Sequence, residues 1–232
     1  MKTLVIVAHP EYADSSTQAF LKRGQAGLEN VTWKRLDSSQ WPLTVAAEQQ
    51  ALIAADRVIF QFPLYWYSAP ALLKQWEDDV LTRAFTFAGE RGCLAAKQLG
   101  IVTSLGSAEQ EFQAGGTEDF SLSEILTPYR AIAHRAGMQF LKPLVIDQFG
   151  YQSEAEQAEL LIKYQQYLTA PQPLSFEQRV AWLIQQLKRW QTTQPAERQQ
   201  RLALVINQLS ANQEHLDDLK DQIKLIRQAE EG

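Results

Sequence analysis

The chain has 232 residues, with 22 Lys and Arg against 27 Asp and Glu, a formal net charge of −5 and a pI near 5.3; this balance gives no basic footprint for nucleic acid or an anionic membrane. The length accommodates one large domain or one ordinary domain with an appendage, and either can bury a core. Cys93 is the single cysteine, which excludes an internal disulfide and a cysteine-based metal site and fits a reducing cytoplasm; beside Gly92 it reads as structural rather than nucleophilic.

Residues 4–8 form an apolar run that predicts a buried first strand and is too short for the core of a signal peptide or for a bilayer span. His9-Pro10-Glu11-Tyr12-Ala13-Asp14 cannot continue it, and Ser15-Ser16-Thr17 then supplies hydroxyl caps for a helix carrying Phe20, Leu21 and Ala26 that fades at Gly24 and Gly27. Residues 31–36 alternate as a second strand, residues 37–42 turn, and Thr44 opens a short helix. A third strand over 57–62 leads into Phe62-Pro63-Leu64-Tyr65-Trp66-Tyr67-Ser68-Ala69-Pro70, a strand-to-helix loop crowded with rings between prolines. Surface loops are usually polar, so this one reads either as a wall built to receive something flat or as a loop tucked under a neighbouring element or subunit. A helix follows from Pro70 to about Leu81, and Glu77-Asp78-Asp79 reads as its solvated end.

Phe85-Thr86-Phe87-Ala88-Gly89 has no helical rhythm and is expected to be a loop or short extension. Residues 99–103 predict the fourth strand, ending in Ser104-Leu105-Gly106-Ser107, and residues 110–120 a flexible cover. A helix through Ile125, Tyr129 and Ala133 closes at Gly137, with Pro128 near its first turn or at a kink. Residues 140–146 predict a fifth strand, broken or shifted by Pro143, and Ser153 caps a helix to about Thr169. His134 and His215 fall on helices, structural or solvent-exposed. Strands alternating with helices imply an α/β fold, a parallel sheet covered on both faces, and right-handed crossovers make the flavodoxin-like order 2-1-3-4-5 the natural one, a three-layer sandwich over residues 1–170. Ligands in such sheets sit at the carboxyl ends of the strands, where the loops after strands one, three and four meet.

After Pro171-Gln172-Pro173 the composition turns glutamine-rich. Phe176, Val180, Leu183, Leu187 and Trp190 make one helical stripe. A second follows Pro195: Leu202, Val205, Leu209, Asn212, Leu216, Leu219, Ile223 and Ile226, at alternating steps of three and four with Asn212 as its single polar member. Residues 171–232 are therefore expected to be a coiled-coil-like helical extension, folded back on itself as a hairpin or paired across a dimer, with a role in assembly.

The ligand-edge loops carry no Gly-x-Gly-x-x-Gly and no P-loop. Residues 15–18 offer hydroxyls and free amides at a helix N-terminus, suited to a phosphate, although hydroxyl caps commonly have no ligand. His9 can sit beside that phosphate or be a hydrogen-bonded structural residue.

Ala8-His9-Pro10, the phrase Phe60-Gln61-Phe62-Pro63-Leu64-Tyr65-Trp66-Tyr67, then Pro70-x-x-Leu73-Lys74-x-Trp76, and Gly137-Met138 resemble the flavodoxin-fold NAD(P)H:quinone oxidoreductase family, with bacterial ancillary reductases of potassium-efflux systems as the nearest subgroup. The resemblance covers about residues 1–170. It implies a non-covalent flavin, FMN or FAD with FMN favoured by the subgroup, reduced by NAD(P)H and reoxidised by a quinone in ping-pong fashion, in a cytoplasmic homodimer. Carried over residue by residue, it places His9, Ser15, Ser16, Thr17 and Gln18 at the phosphate and Leu64, Tyr65, Trp66 and Tyr67 along the isoalloxazine. Thr103, Ser104, Leu105 and Gly106 stand where the family has Thr-Thr-Gly-Gly, and Leu105 puts a branched side chain where that pattern has glycine. No metal, no nucleic acid and no integral membrane segment are expected; peripheral association with a membrane partner is compatible with the subgroup. The competing expectation is a regulatory or scaffold protein on the same fold, acting through its helical tail.

Overall fold

The computed structural model describes residues 1–87 and 92–230, which fall into two compact units, Met1–Gln172 and Pro173–Gly232.

In the first unit β1 (Thr3–Val7), β2 (Val31–Arg35), β3 (Arg57–Pro63) and β4 (Gln98–Leu105) form a parallel sheet in the order β2-β1-β3-β4-β5. The fifth strand comes in two pieces, β5 (Gln139–Phe140) and β6 (Leu144–Asp147), both parallel to β4. Pro143, which lacks an N–H for the ladder, lies between them. Alternation along the strands splits the core. Leu4, Ile6, Val58, Phe60, Phe62 and Ile101 face the helices α2 (Val45–Ala54), α3 (Ala71–Val80) and α6 (Thr127–Arg135), meeting Leu52, Trp76 and Tyr129. Val5, Val7, Ile59 and Val102 face α1 (Ser16–Gln25) and α7 (Glu154–Thr169), meeting Leu21, Tyr164 and Leu168. The result is the three-layer flavodoxin-like arrangement expected from the sequence.

Two contacts fasten α7 to the sheet. Arg57, fully buried at the start of β3, donates to the carbonyl oxygens of Tyr167 and Ala170, the latter at 2.8 Å, and to Gln98 Oε1 at 2.8 Å. A cation thus meets the carboxyl end of α7, where the helix dipole is negative, and burial lowers its pKa to about 10. Tyr167 Oη accepts from the Ile101 amide at 3.1 Å. Gly100 leaves room for that ring, since a Cβ there would lie 2.6 Å from the Tyr167 hydroxyl.

Several expectations are corrected. Arg83–Phe87 is a short helix, α4, with Phe85 and Thr86 buried, so the Phe85-Thr86-Phe87 segment is not a loop; Ala88 and Gly89 lie outside the described residues. Fixed by the buried anchor of its ring, this single turn is too short to show periodicity. β4 continues through Ser104 and Leu105, which are strand rather than loop. Glu77 is not solvated: it is 6% exposed on the inner face of α3 beside Trp76. Cys93 is exposed. Pro128 sits in the first turn of α6, directly after the four-residue helix α5 (Leu122–Ile125), where its missing N–H costs nothing.

The second unit holds α8 (Phe176–Gln191), capped by Ser175 with Gln178, and α9 (Ala196–Glu230). The two run antiparallel. Near the turn Gln191 Nε2 donates to Gln199 O at 2.8 Å, and at the far end Lys220 pairs with Glu177.

Candidate functional site

The carboxyl ends of β1, β3 and β4 lie side by side. The Ala8 amide donates to Gln61 O at 3.0 Å and the Leu64 amide to Ser104 O at 2.9 Å, so the three loops leave the sheet from one edge. The segments singled out in sequence start from that edge: His9 and Ser15 to Gln18 follow β1, Leu64 to Tyr67 follow β3, and Thr103 to Gly106 end β4, although not every one of their side chains faces it.

Over β1, Ser15 is the N-cap of α1, its Oγ accepting from the Gln18 amide at 3.2 Å, while the Ala19 amide donates to Ser15 O at 3.0 Å. The Ser16 and Thr17 amides have no intrahelical acceptor and lie at the positive end of the helix dipole. His9 Nδ1 accepts from the Glu11 amide at 3.1 Å, and burial lowers its pKa against the opposing pull of Glu11. Nδ1 is thereby occupied as an acceptor, and the other ring nitrogen is left to the loop that leads to α1. The Gln18 side chain does not face the loop. It is buried, its Oε1 accepting from Gln61 Nε2 at 2.6 Å, and Gln61 Oε1 in turn accepts from the Tyr164 hydroxyl at 2.9 Å. A chain of buried hydrogen bonds through β3 and α7 therefore fixes the first turn of α1, and only the Gln18 backbone belongs to the loop. The polar Gln61 in the middle of the apolar residues 58–62 is the sequence signal for this; Tyr164 leaves none.

Over β3 the wall is a tight turn. Tyr65 and Ser68 exchange both backbone hydrogen bonds, at 2.8 and 2.9 Å, and Trp66 and Tyr67 at the tip have φ of 46° and 59°. Such a turn favours glycine and asparagine, and bulky residues there are held under strain, a feature that clusters at functional sites. Trp66 is 94% exposed and Tyr67 50%. Three rings are presented to solvent on a stiff support rather than packed into the body. The support has two further struts that sequence could not show. The Tyr67 hydroxyl donates to Glu118 Oε2 at 2.7 Å, which raises its pKa, and Tyr129, whose hydroxyl engages Ser68 and Ala69, sits under the loop with its ring 5.4 Å from that of Phe62. Burial pushes the Tyr129 hydroxyl up to about 12. Glu118 belongs to the covering segment, which is closed by Thr117 donating from Oγ1 to Glu111 Oε2 at 2.6 Å and anchored by the buried Phe112.

Over β4, Leu105 does not obstruct the edge. It lies in the strand, absent from the positive-φ residues, and its side chain packs with Phe112 and Leu122. Gly106 is exposed, and a Cβ there would meet nothing within 4 Å. Thr103 is fully buried with its Oγ1 unpartnered among the described residues, a polar atom in want of a ligand or water at this edge. Backbone amides, a neutral imidazole, hydroxyls and exposed rings around an open strand end form a donor set fitted to a planar, phosphorylated cofactor. Among the described residues no cluster of His, Cys, Asp and Glu could hold a metal, and no helix is long and apolar enough to cross a membrane.

A doubly wound α/β unit with its loops gathered at the β1–β3 switch point defines the class. The family model of the flavodoxin-like fold matches residues 1–168, and the chain belongs to that family. It is 39% identical over 171 residues, 73% of this chain and 87% of the other, to the uncharacterized NAD(P)H oxidoreductase YdeQ of Bacillus subtilis (strain 168). Among solved structures, the NADPH-quinone reductase of P. pentosaceus superposes with a TM-score of 0.70 at 47% identity, covering 74% of this chain and 99% of that one. General stress protein 14 of Treponema denticola, solved in complex with FMN, gives 0.65 at 29% identity, covering 73% and 99%.

Proposed function

We propose that this protein is a flavin-dependent NAD(P)H:quinone oxidoreductase that holds FMN, with FAD as the alternative, at the edge formed by β1, β3 and β4. The observation that carries the reading is the convergence at one strand edge of open α1 amides, a strained aromatic turn and the unobstructed Gly106. The relatives support it: one similar structure is of an NADPH-quinone reductase and another contains FMN.

When bound, FMN supplies a two-electron carrier that accepts a hydride from NAD(P)H and passes it to a quinone. The chain's own part is to bind, orient and exclude water. The Ser16 and Thr17 amides, the Ser15 to Thr17 hydroxyls and His9 hold the phosphate. The Leu64 to Tyr67 turn lines the ring system, and the backbone from Thr103 to Gly106 offers donors to its polar edge. The exposed rings of Tyr65, Trp66 and Tyr67 gain cover from the ring substrates and from a partner subunit, which is the support for reading the enzyme as a homodimer with each site finished across the dimer. No side chain serves as a nucleophile. A cytoplasmic setting belongs to the same reading, supported by the single cysteine, as does the division into a flavin-binding domain over 1–170 and a helical extension over 171–232.

Purified protein is expected to carry, or take up, stoichiometric flavin and to accelerate NAD(P)H oxidation by a small quinone. A colourless protein that binds neither FMN nor FAD and leaves the NAD(P)H rate unchanged overturns the assignment. The second reading, a scaffold acting through its tail, is favoured by the exposed apolar residues of α9; flavin bound without quinone turnover would point to it.

A further inference from the structure

α9 has an apolar face that its hairpin partner does not cover. The residues that meet α8 are Ile206, the one buried residue among the described part of α9, then Ser210, Gln213 and Asp217, which line a cleft of about 490 Å³ with Ala181 and Ile184, and finally Lys220, paired with Glu177. These lie roughly 100° around the helix from the stripe of alternating three and four steps that begins at Leu202. The stripe starts at the edge of that contact, where Leu202 and Leu209 are half-buried, and drifts away from it: Val205, Leu216, Leu219, Ile223 and Ile226 are between 39% and 58% exposed. Length compounds the mismatch. At 1.5 Å per residue the 16 residues of α8 span about 24 Å and the 35 of α9 about 52 Å, so the helix past Lys220, with Ile223 and Ile226, has no intramolecular cover within this unit.

We infer that the α9 stripe is a self-association surface, occupied by α9 of a second copy of this chain in a parallel, in-register pair. Three observations select that occupant. A seam that alternates three and four without interruption fits only a helix of the same rhythm, and α9 itself supplies one. The exposed apolar side chains of the stripe offer on the order of 400 Å² per chain, about half of the ~800 Å² of polar and apolar surface that each partner of a standard interface buries, and the size of a patch that is commonly functional. In register, Asn212 meets Asn212 of the second copy, so its amide finds a like partner; in the antiparallel arrangement that keeps the stripe aligned it would face Leu216 and remain unpaired. Gln208 already donates to Asn212 Oδ1 at 2.9 Å, which holds the side chain in place. On one flank Ile206, Gln213 and Lys220 are turned to α8, so Arg201, Gln208 and His215 of the second copy come to the border of that contact, and Gln222 alone is set against a free position, Arg227. No pair of permanent like charges is created. Parallel pairing also carries the second copy's α8 toward the flank on which Leu204 is exposed.

The inference does not rest on the flavin reading and is tested apart from it, in the full-length chain. With Cys93→Ser to remove the native thiol, Asn212→Cys places a cysteine on the seam and Asn207→Cys one at an exposed position of α9 away from it. Mild oxidation is expected to convert most of the Asn212→Cys protein to a disulfide-linked dimer while Asn207→Cys stays at least tenfold less linked. Adding Leu216→Glu with Ile223→Glu to the Asn212→Cys protein should abolish its linking without lowering the thermal midpoint of the sheet unit. Failure of the 212 cysteine to link, or equal linking at 207 and 212, overturns the inference, including the case of a dimer held solely by the sheet domain.

Discussion

Glu77 is a carboxyl buried for the most part against the inner face of its helix. Its Oε1 has no partner among the described residues, and burial pushes its pKa up to about 7, with Lys74 drawing it down and Asp78 adding to the rise. A carboxyl whose folded pKa exceeds its ordinary value of 4.5 binds its proton more tightly in the native state. The native state is therefore favoured below about 4.5, loses that advantage as pH rises through 7, and is flat beyond. The loss amounts to about 3 kcal/mol. Glu77→Gln, uncharged at every pH, is expected to remove most of this slope. Urea denaturation of both proteins at pH 5 and pH 8 checks it: the variant should gain on the wild type by about 2 kcal/mol between the two, and parallel pH dependences would show that Glu77 finds a compensating partner. Glu77 also marks a limit of reading by residue type. Three consecutive acids suggest a solvated helix end, yet at 3.6 residues per turn one of them must share the face of Leu73, Trp76 and Val80.

At the scale of elements, most of the architecture was legible because strands buried on both faces are continuous apolar runs and helices declare their caps: Ser15 and Ser153 each accept at their helix start. What escaped was set by contacts between distant segments. α4 is one turn fixed by its buried Phe85, and the face α9 turns to α8 is chosen by Ile206 and the Glu177–Lys220 pair rather than by its most regular apolar stripe. The aromatic turn was recognisable by its crowding, whereas its struts, Glu118 and Tyr129, are remote in sequence and carry no motif. Arg57 is the element-scale contact with the largest expected effect, because it satisfies two carbonyls at the end of α7 and the Gln98 amide oxygen at once. Arg57→Met keeps the volume and removes every one of those bonds. It is expected to destabilise the sheet unit by about 3 kcal/mol, through carbonyls left buried and unpaired. Thermal denaturation should show a fall of roughly 6–12 °C, and an unchanged midpoint would mean that α7 is held by its apolar face alone.

At the scale of the whole molecule, the proposed function rests on the first unit, on the edge of β1, β3 and β4 being a site for a phosphorylated planar cofactor. α1 contributes its amides through a buried chain, Gln18 to Gln61 to Tyr164, that crosses from one helix through the sheet's central strand to another. The aromatic turn is braced by the cover on one side and Tyr129 on the other. Gly106 gives a way to probe this site without touching its supports: it is exposed, free of positive φ and free of neighbours within 4 Å, so a side chain there is accommodated by the fold and obstructs only what binds above it. Titration of flavin-free protein with FMN and with riboflavin, in wild type and Gly106→Leu, is the most direct measurement. The predicted result is that wild type binds FMN at least tenfold more tightly than riboflavin, and that Gly106→Leu weakens both ligands at least tenfold while shifting stability by less than about 0.5 kcal/mol. FMN and riboflavin bound equally well, or FMN affinity untouched by Gly106→Leu, would contradict it.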